Sequence, residues 1–187
     1  MSLTNLLSAT RTLHEASPAL MEFGAWPGDL EHVVREPVPC PAVDILNTLP
    51  NTSPLTAAIK AAAPELEWRR TYSPDEVGDD FLNRYGYVEL FGPKGHFRSD
   101  QLRGYLAFWD HSLDYGWHHH EAEEIYYSLQ GTPLFLSKNQ TETRLAPGET
   151  RYHATWEVHG MKTLDTPFLC YALWRGAGLG DLPEMSV

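Results

Sequence analysis

The chain has 187 residues, of which 42% are hydrophobic, with a mean hydropathy of -0.37 and a formal net charge of -11. This length and composition are typical of one globular domain with a sizeable core. The negative charge argues against nucleic-acid backbones and anionic membrane surfaces as partners.

The chain lacks the signals of a secreted or membrane-spanning protein. Its first residues have no basic n-region, and no apolar run approaches the ~20 residues that span a bilayer. Cys40 and Cys170 are far apart and form no C-x-x-C pair, so we expect buried thiols rather than a disulfide framework or a zinc site. We therefore expect a cytoplasmic protein.

The first 84 residues are predicted to be mostly helix and loop. Apolar residues recur at helical spacing between residues 3 and 14. Three further helix starts combine a serine cap with a first-turn proline, and they lie at Ser17-Pro18, Ser53-Pro54 and Ser73-Pro74. Glu76 completes a Ser-x-x-Glu capping box at the last of them. Residues 26–52 contain several prolines and predict irregular chain.

From residue 85 onwards the chain changes to short runs rich in aromatic and β-branched residues. These runs are separated by Gly, Pro, Asn or Asp, a pattern that favours an all-β sandwich or barrel. We expect one structural domain, in which residues 1–84 form a helical extension packed on a β-barrel of residues 85–187. The predicted strands are 85–91, 104–109, 124–130, 133–137, 141–145 and 168–174.

The segment 116–131 carries the strongest chemical signal. Interpreted as one strand, it places His118, His120, Glu124 and Tyr126 on the same face, because alternate side chains of a strand point the same way. Two imidazoles and a carboxylate are donors that suit a borderline divalent ion. The opposite face carries an apolar row suited to packing, formed by Ile125, Tyr127 and Leu129.

A second segment follows the turn at residues 146–148 and offers His153 and His159. In the order strand, hairpin, strand, a returning partner strand can add a third imidazole to the same point. The remaining histidines are assigned other roles: His119 is expected to be structural, and a surface position is expected for His14, His32, His96 and His111.

These two segments resemble the two motifs of the cupin family. Residues 116–131 match Gly-x-His-x-His-x3-Glu-x6-Gly with a shortened first gap, and His159 follows the Pro147-Gly148 turn at the second-motif spacing. Lys162 and Thr163 stand where the second motif usually has Asn. The resemblance implies a mainly β fold, a double-stranded β-helix (jelly-roll) barrel. It also implies an internal metal ion held by His118, His120, Glu124 and His159, with His153 beside it.

The tyrosines indicate which group of cupins the chain resembles. Tyr115 and Tyr126 flank the predicted ligands, and with the helical extension and His159-Gly-Met the chain is similar to the cupin dimethylsulfoniopropionate lyases, especially the shorter Q-type members. The resemblance implies cleavage of a small zwitterion into dimethyl sulfide and acrylate by β-elimination. Tyr126 is the first candidate for the general base, or for a displaceable metal ligand, and Tyr115 is the alternative base.

The implied reaction requires one divalent transition metal ion, for which zinc, iron, manganese and nickel all suit three His and a Glu. Bound to the substrate carboxylate, the ion would act as a Lewis acid and favour the ionised form of a nearby phenol. Aromatic faces would hold the sulfonium head. The candidate substrate-binding residues are Trp109, Trp117, Trp174, Tyr152 and His153. A monomer or a homodimer is compatible with the sequence.

Three alternatives remain at the level of sequence. An iron-dependent cupin dioxygenase would use similar ligands and consume oxygen. A non-catalytic metal-binding cupin would bind the ion without turnover. A sugar isomerase or epimerase would require basic residues for phosphate or nucleotide, and the motifs have few nearby, namely Lys138, Arg144, Arg151 and Lys162.

Overall fold

The computed structural model describes residues 2–138 and 140–186. Within them, five α-helices precede most of twelve strands. The helices are α1 (Ser2–Ala16), α2 (Pro18–Phe23), α3 (Ala42–Thr48), α4 (Pro54–Ala62) and α5 (Pro74–Arg84), with a 3-10 turn at Ala63–Glu65. No helix in these ranges has the length and apolar character needed to cross a membrane.

The strands are β1 (Glu31–His32), β2 (Tyr85–Gly92), β3 (Phe97–Arg98), β4 (Arg103–Trp109), β5 (Asp114–His119), β6 (Glu123–Gln130), β7 (Leu134–Ser137), β8 (Thr143–Arg144), β9 (Thr150–His153), β10 (His159–Lys162), β11 (Phe168–Arg175) and β12 (Glu184–Met185). They form a seven-stranded sheet, β1-β3-β2-β4-β11-β6-β9, and a five-stranded sheet, β12-β5-β10-β7-β8. This mainly β jelly-roll barrel with an α-helical N-terminal extension is the fold class that the cupin motifs predicted.

The central strands of the seven-stranded sheet, β2, β4 and β11, are buried on both faces, which explains why they are almost continuously apolar. Along β11, Phe168 and Cys170 point between the two sheets, whereas Leu169 and Tyr171 point under the helices. The row of Ile125, Tyr127 and Leu129 also packs on the helical side, as predicted. Both cysteines are buried and free.

Helix α3 lies in the segment predicted to be irregular. Ala42 and Leu46, four residues apart, are both almost fully buried in the cluster beneath the helices. A short amphipathic helix thus forms between prolines because its apolar side packs on the sheet. The predicted starts of α2, α4 and α5 are confirmed, and the Glu76 carboxylate accepts from the Ser73 backbone N–H at 2.8 Å.

Two histidines that were expected on the surface are buried. His14 is fully enclosed, with Nε2 donating to the Gly24 carbonyl at 2.8 Å and Nδ1 3.0 Å from the Tyr171 hydroxyl. His96 Nε2 accepts from the Glu67 backbone N–H at 3.1 Å. These hydrogen bonds give the buried imidazole nitrogens protein partners in place of water. His32 and His111 are exposed, as predicted.

The segment 116–131 is two strands rather than one. β5 and β6 belong to different sheets, and residues 120–122 turn between them. His120, Glu124 and Tyr126 therefore do not share one strand face with His118, and it is the facing of the two sheets that brings these side chains together. At the end of β6, Gly131 has φ +93°, and a Cβ there would lie 2.1 Å from the Pro167 carbonyl oxygen.

The shortest strands differ most from the prediction. The predicted strand 141–145 shrinks to the two residues of β8, and β1, β3 and β12 have no counterpart in the prediction. Each of these four strands has two residues, too few for a clear period.

Candidate active site

Three side chains from both sheets converge at one point between them. His120 lies just after β5, Glu124 lies on β6 and His159 lies on β10, and their ligand atoms are all within 4.8 Å of one another. Glu124 Oε2 is 3.2 Å from His120 Nε2 and 3.3 Å from His159 Nε2. All three residues are buried.

The backbone fixes the orientation of each imidazole. The Nδ1 atoms of His118, His120 and His159 lie 2.9, 2.8 and 2.7 Å from the carbonyl oxygens of Gly116, Ala122 and Glu157. A carbonyl only accepts, so Nδ1 carries the proton and each Nε2 keeps its lone pair.

A lone pair on Nε2, with Nδ1–H donated to the backbone, is the arrangement that metal-binding histidines adopt. His159 Nε2 is buried and makes no hydrogen bond within the described residues. An unsatisfied buried nitrogen beside a carboxylate and a second imidazole is accounted for by a cation. The donor set therefore fits a divalent metal ion.

Glu124 is held in its ionised form. Burial alone raises the pKa of this carboxyl, but the adjoining His120 and His159 outweigh burial and hold the pKa well below its usual range. The second carboxylate oxygen accepts a hydrogen bond from Trp174 Nε1 at 2.7 Å. The Trp174 ring also lies against His120, with centroids 4.1 Å apart.

His118 borders this cluster without being one of its three closest members. Its ring is 4.2 Å from that of His159 and 6.4 Å from that of His120. On its other side it stacks on Tyr115, again with centroids 4.2 Å apart. Burial, followed by the neighbouring His159, lowers the pKa of His118 well below its ordinary value, which keeps the ring neutral.

His153 lies behind His159 rather than in contact with the cavity. The two rings are nearly parallel, with centroids 3.9 Å apart and 13° between their planes. Burial, and then the adjacent His159, lowers the pKa of His153 to about 3. This neutral ring is a packing surface for the neighbouring histidine.

Glu157 was not predicted to be a functional residue, but its carboxylate contacts several residues around His153. Its carboxylate accepts hydrogen bonds from the Ser137 hydroxyl at 2.5 Å and the Ala154 backbone N–H at 2.9 Å, and it lies 3.4 Å from His153 Nδ1. Gln140 donates to the same carboxylate at 2.7 Å. The only sequence signal was a carboxylate two residues before His159.

A pocket, which we name the aromatic cavity, adjoins the three-residue cluster at Glu124. Its wall includes Glu124 and both tyrosines that flank the predicted ligands. The lining residues are Thr71, Tyr85, Tyr87, Tyr105, Ala107, Trp109, Tyr115, Glu124, Tyr126, Ala172, Trp174, Leu182 and Pro183. Trp109 and Trp174 thus lie where a substrate would contact them.

The two tyrosines are deeply buried. Burial is the main cause that raises the pKa of Tyr126 and of Tyr115 well above the ordinary value, and nearby Glu124 adds to it for Tyr126. A cation at the neighbouring ligands would act in the opposite direction. Tyr115 differs in having its hydroxyl 2.8 Å from that of Tyr72.

Trp117 and Tyr152 are outside the aromatic cavity. Trp117 is about 38% exposed, with Lys138 Nζ 6.0 Å from its ring centroid. Tyr152 is about 40% exposed, and its hydroxyl donates to Glu123 at 2.5 Å. Neither residue lines the cavity, because alternation along β5 and β9 points them outward.

Comparison with known proteins gives concordant matches. The family model of dimethylsulfoniopropionate lyase matches residues 29–170. The chain is 37% identical over 177 residues to dimethylsulfoniopropionate lyase DddQ of Ruegeria pomeroyi, covering 92% of this chain and 88% of that protein.

Two solved structures superpose over nearly the whole chain. One comes from work on the dimethylsulfoniopropionate lyases RdDddP and RnDddQII, with 46% identity, a TM-score of 0.96 and coverage of 100% of this chain and 98% of the other. The crystal structure of DddQ from Ruegeria pomeroyi DSS-3 gives 34% identity, a TM-score of 0.93 and coverage of 99% and 96%.

Proposed function

The chain belongs to the dimethylsulfoniopropionate (DMSP) lyase family, a family of carbon–sulfur lyases, and from this premise we propose that it cleaves DMSP to dimethyl sulfide and acrylate by metal-dependent β-elimination. The observation that carries the proposal is one cavity wall that combines a carboxylate of the ligand cluster with two buried tyrosines.

His120, Glu124 and His159 would hold the metal ion, with His118 as the fourth ligand from the adjoining strand. The ion would supply Lewis-acid stabilisation of the negative charge that develops on the substrate carboxylate. Zinc, iron, manganese and nickel all accept this mixture of imidazole and carboxylate donors. The surrounding chain keeps the Glu124 carboxylate ionised, and backbone carbonyls fix the orientation of the His120 and His159 rings.

Tyr126 is the proposed general base. It lies two residues after Glu124 on β6, and both residues line the cavity in which the substrate would be held. The phenolate oxygen accepts the proton alpha to the carboxylate, the C–H electron pair forms the new C=C bond, and the C–S bond breaks with its pair on sulfur. Tyr115, tied to Tyr72, is the alternative base.

The rest of the aromatic cavity suits the other end of the substrate. A sulfonium is a methylated cation, and aromatic faces hold such groups by about 1 kcal/mol each or more when water is excluded. Trp109 stacks on Tyr85 with centroids 5.2 Å apart, which presents a rigid aromatic surface across from Glu124. This surface would also keep water from the reacting carbons.

The test is headspace dimethyl sulfide from purified protein given DMSP, under air and under nitrogen, with each metal added back. His120→Ala should abolish release, and His111→Ala, which changes an exposed histidine, should leave it intact. Release that survives nitrogen establishes a lyase. Release that requires oxygen would favour the dioxygenase alternative, and a folded, metal-loaded protein that releases none would contradict the proposal.

A further inference from the structure

The chain leaves the barrel after β11 through turns at residues 176–180 and then runs to β12, and we name residues 176–186 the C-terminal strap. Gly176 and Gly178 turn the chain with φ values of +84° and +71°. The strap ends as β12, where Met185 pairs with His118 of β5. It therefore joins the seven-stranded sheet to the edge of the five-stranded sheet.

In its middle, the C-terminal strap forms part of the aromatic cavity. Leu182 and Pro183 line that cavity together with Glu124 and Trp174. The same two residues also line a second pocket, which includes His120. Leu182 is 51% exposed, so the strap forms an outer part of the cavity wall, and this part is aliphatic where the cavity is otherwise mostly aromatic.

Arg103 fastens the C-terminal strap to the barrel. Its Nη1 donates to the carbonyl oxygens of Leu179 at 3.0 Å and Asp181 at 2.7 Å, on the strap segment just before Leu182. Its Nη2 lies 2.9 Å from Glu89 Oε2, and the two side chains are 1% and 0% exposed. Breaking such a buried pair is strongly unfavourable, so the guanidinium stays at this point.

The same guanidinium touches the cavity wall from behind. Its carbon lies 4.8 Å from the ring centroid of Tyr105 and 5.3 Å from that of Trp174. A planar group with several directed donors can hold two carbonyls, a carboxylate and two ring faces at once, which a lysine ammonium cannot do. Arg103 thereby sets the distance between the strap and the aromatic residues opposite it.

We propose that the C-terminal strap is the specificity-determining wall of the cavity, with Leu182 and Pro183 limiting the size of the sulfonium alkyl groups and Arg103 acting as the positioning residue. The inference rests on the proposed function, since it concerns which zwitterionic sulfonium compounds fit. It assigns a substrate-selecting role to a segment outside both cupin motifs.

The first experiment compares Leu182→Ala with Val34→Ala, which shortens an exposed aliphatic residue far from the strap in sequence. Each variant is given DMSP and its diethylsulfonio homologue, and kcat/KM is measured for both. One methylene in a pocket changes kcat/KM by about 10-fold or more, so Leu182→Ala should weaken the preference for DMSP by about 10-fold. Unchanged preference in Leu182→Ala would overturn the proposal.

The second experiment needs no turnover. Arg103→Lys keeps the charge beside Glu89 but loses the forked donors, and hydrogen exchange of residues 179–186 should rise by about 10-fold while β2 and β11 stay protected. Arg98→Lys, on an exposed pair with Asp100, is the control. Unchanged protection of the strap in a folded Arg103→Lys protein would overturn the positioning role.

A third variant, Pro183→Ala, keeps the full chain and shortens the other strap residue that lines the cavity. It should weaken the discrimination between the two sulfonium compounds, and retention of wild-type discrimination would overturn the proposal even where Arg103→Lys does not fold. If the wild-type protein releases no dimethyl sulfide, the proposed function fails, while the exchange experiment still decides whether Arg103 holds the strap.

Discussion

His118 on β5 and His159 on β10 are direct cross-strand partners, with ring centroids 4.2 Å apart. This pairing joins the first cupin motif to the second within the five-stranded sheet. Glu124 approaches the pair from the seven-stranded sheet. The cluster therefore exists only when the two sheets face each other, so metal binding and closure of the barrel are coupled.

Removing one ligand should remove the ion. In His159→Ala we expect bound metal to fall from about one ion per chain to nearly none, with loss of dimethyl sulfide release, because the deletion removes the buried Nε2 that lies 3.3 Å from Glu124 Oε2 at the centre of the cluster. Elemental analysis after dialysis measures the ion. His111→Ala is the matched control, and full metal content in His159→Ala would contradict the assignment.

Trp174 and Trp109 allow a paired test of the hydrogen bond to Glu124. Trp174→Phe removes the N–H that donates to Glu124 Oε1, and metal affinity should fall about 10-fold to 100-fold, as for other groups that orient a ligand. Trp109 Nε1 is buried and makes no hydrogen bond to any residue of 2–138 or 140–186, so Trp109→Phe should leave metal affinity unchanged. Competition with a chromogenic chelator measures both, and equal effects would argue against an orienting role for Trp174.

Glu157 should act through its neighbours. In Glu157→Gln, one carboxylate oxygen becomes a donor that faces Gln140 and the Ala154 N–H, so the loop that carries the carbonyl partner of His159 should shift. We expect metal affinity to decrease by about 10-fold, with a modest loss of thermal stability. The exposed Glu142→Gln is the comparison, and wild-type affinity in Glu157→Gln would refute this role.

The two tyrosines can be separated by deleting one hydroxyl at a time. If Tyr126 is the base, Tyr126→Phe should lower kcat by about 10²-fold to 10⁴-fold while metal content stays normal. Tyr115→Phe should then have a smaller effect, from loss of the hydrogen bond to Tyr72. The reverse order of effects would identify Tyr115 as the base, and two fully active variants would exclude both.

His14 makes stability depend on pH. Burial lowers the pKa of this imidazole below its ordinary value of 6.5, so the unfolded chain takes up the proton first as pH falls. The free energy of unfolding should therefore decrease below about pH 6.5 and be insensitive to this group above it. Urea titrations from pH 5 to 8 should show a shallower slope for His14→Gln.

Other buried histidines add to that slope, so the comparison with wild type isolates His14. His111→Gln changes an exposed ring and should leave the slope as it is. An identical slope in His14→Gln and wild type would show that the imidazole at position 14 binds protons equally in the folded and unfolded states, which would contradict the lowered pKa.

The sequence predicted the barrel and the three residues of the central cluster better than the course of the chain between them. Residues 168–174 and 124–130 have strong β composition, and the motif spacing located His120 and Glu124. The assignment of His118 and His120 to the strand of Glu124 failed because the turn at residues 120–122 has no Gly or Pro to mark it.

The long-range contacts of the residues around the site could not be predicted from the sequence. Glu157 meets Ser137 across 20 residues, and Arg103 meets the carbonyl of Asp181 across 78, and no local period encodes such pairs. Likewise, burial of His14 depends on Tyr171, which is 157 residues away. These contacts follow from the topology, which the sequence pattern left unspecified.

The helices that cover the seven-stranded sheet determine whether the barrel can be separated from the N-terminal extension. Leu6 of α1 and Ile59 of α4 share a fully buried cluster with Leu106 and Phe108 of the sheet. A fragment starting at residue 85 would expose this apolar surface and, without β1, an unpaired strand edge of the seven-stranded sheet. Fragments with such exposed surfaces and edges aggregate. The barrel therefore depends on the N-terminal helices. Transferring the two motifs to a cupin without such helices would transfer the ligand residues but not the helices that cover the apolar face of the sheet and keep the protein soluble.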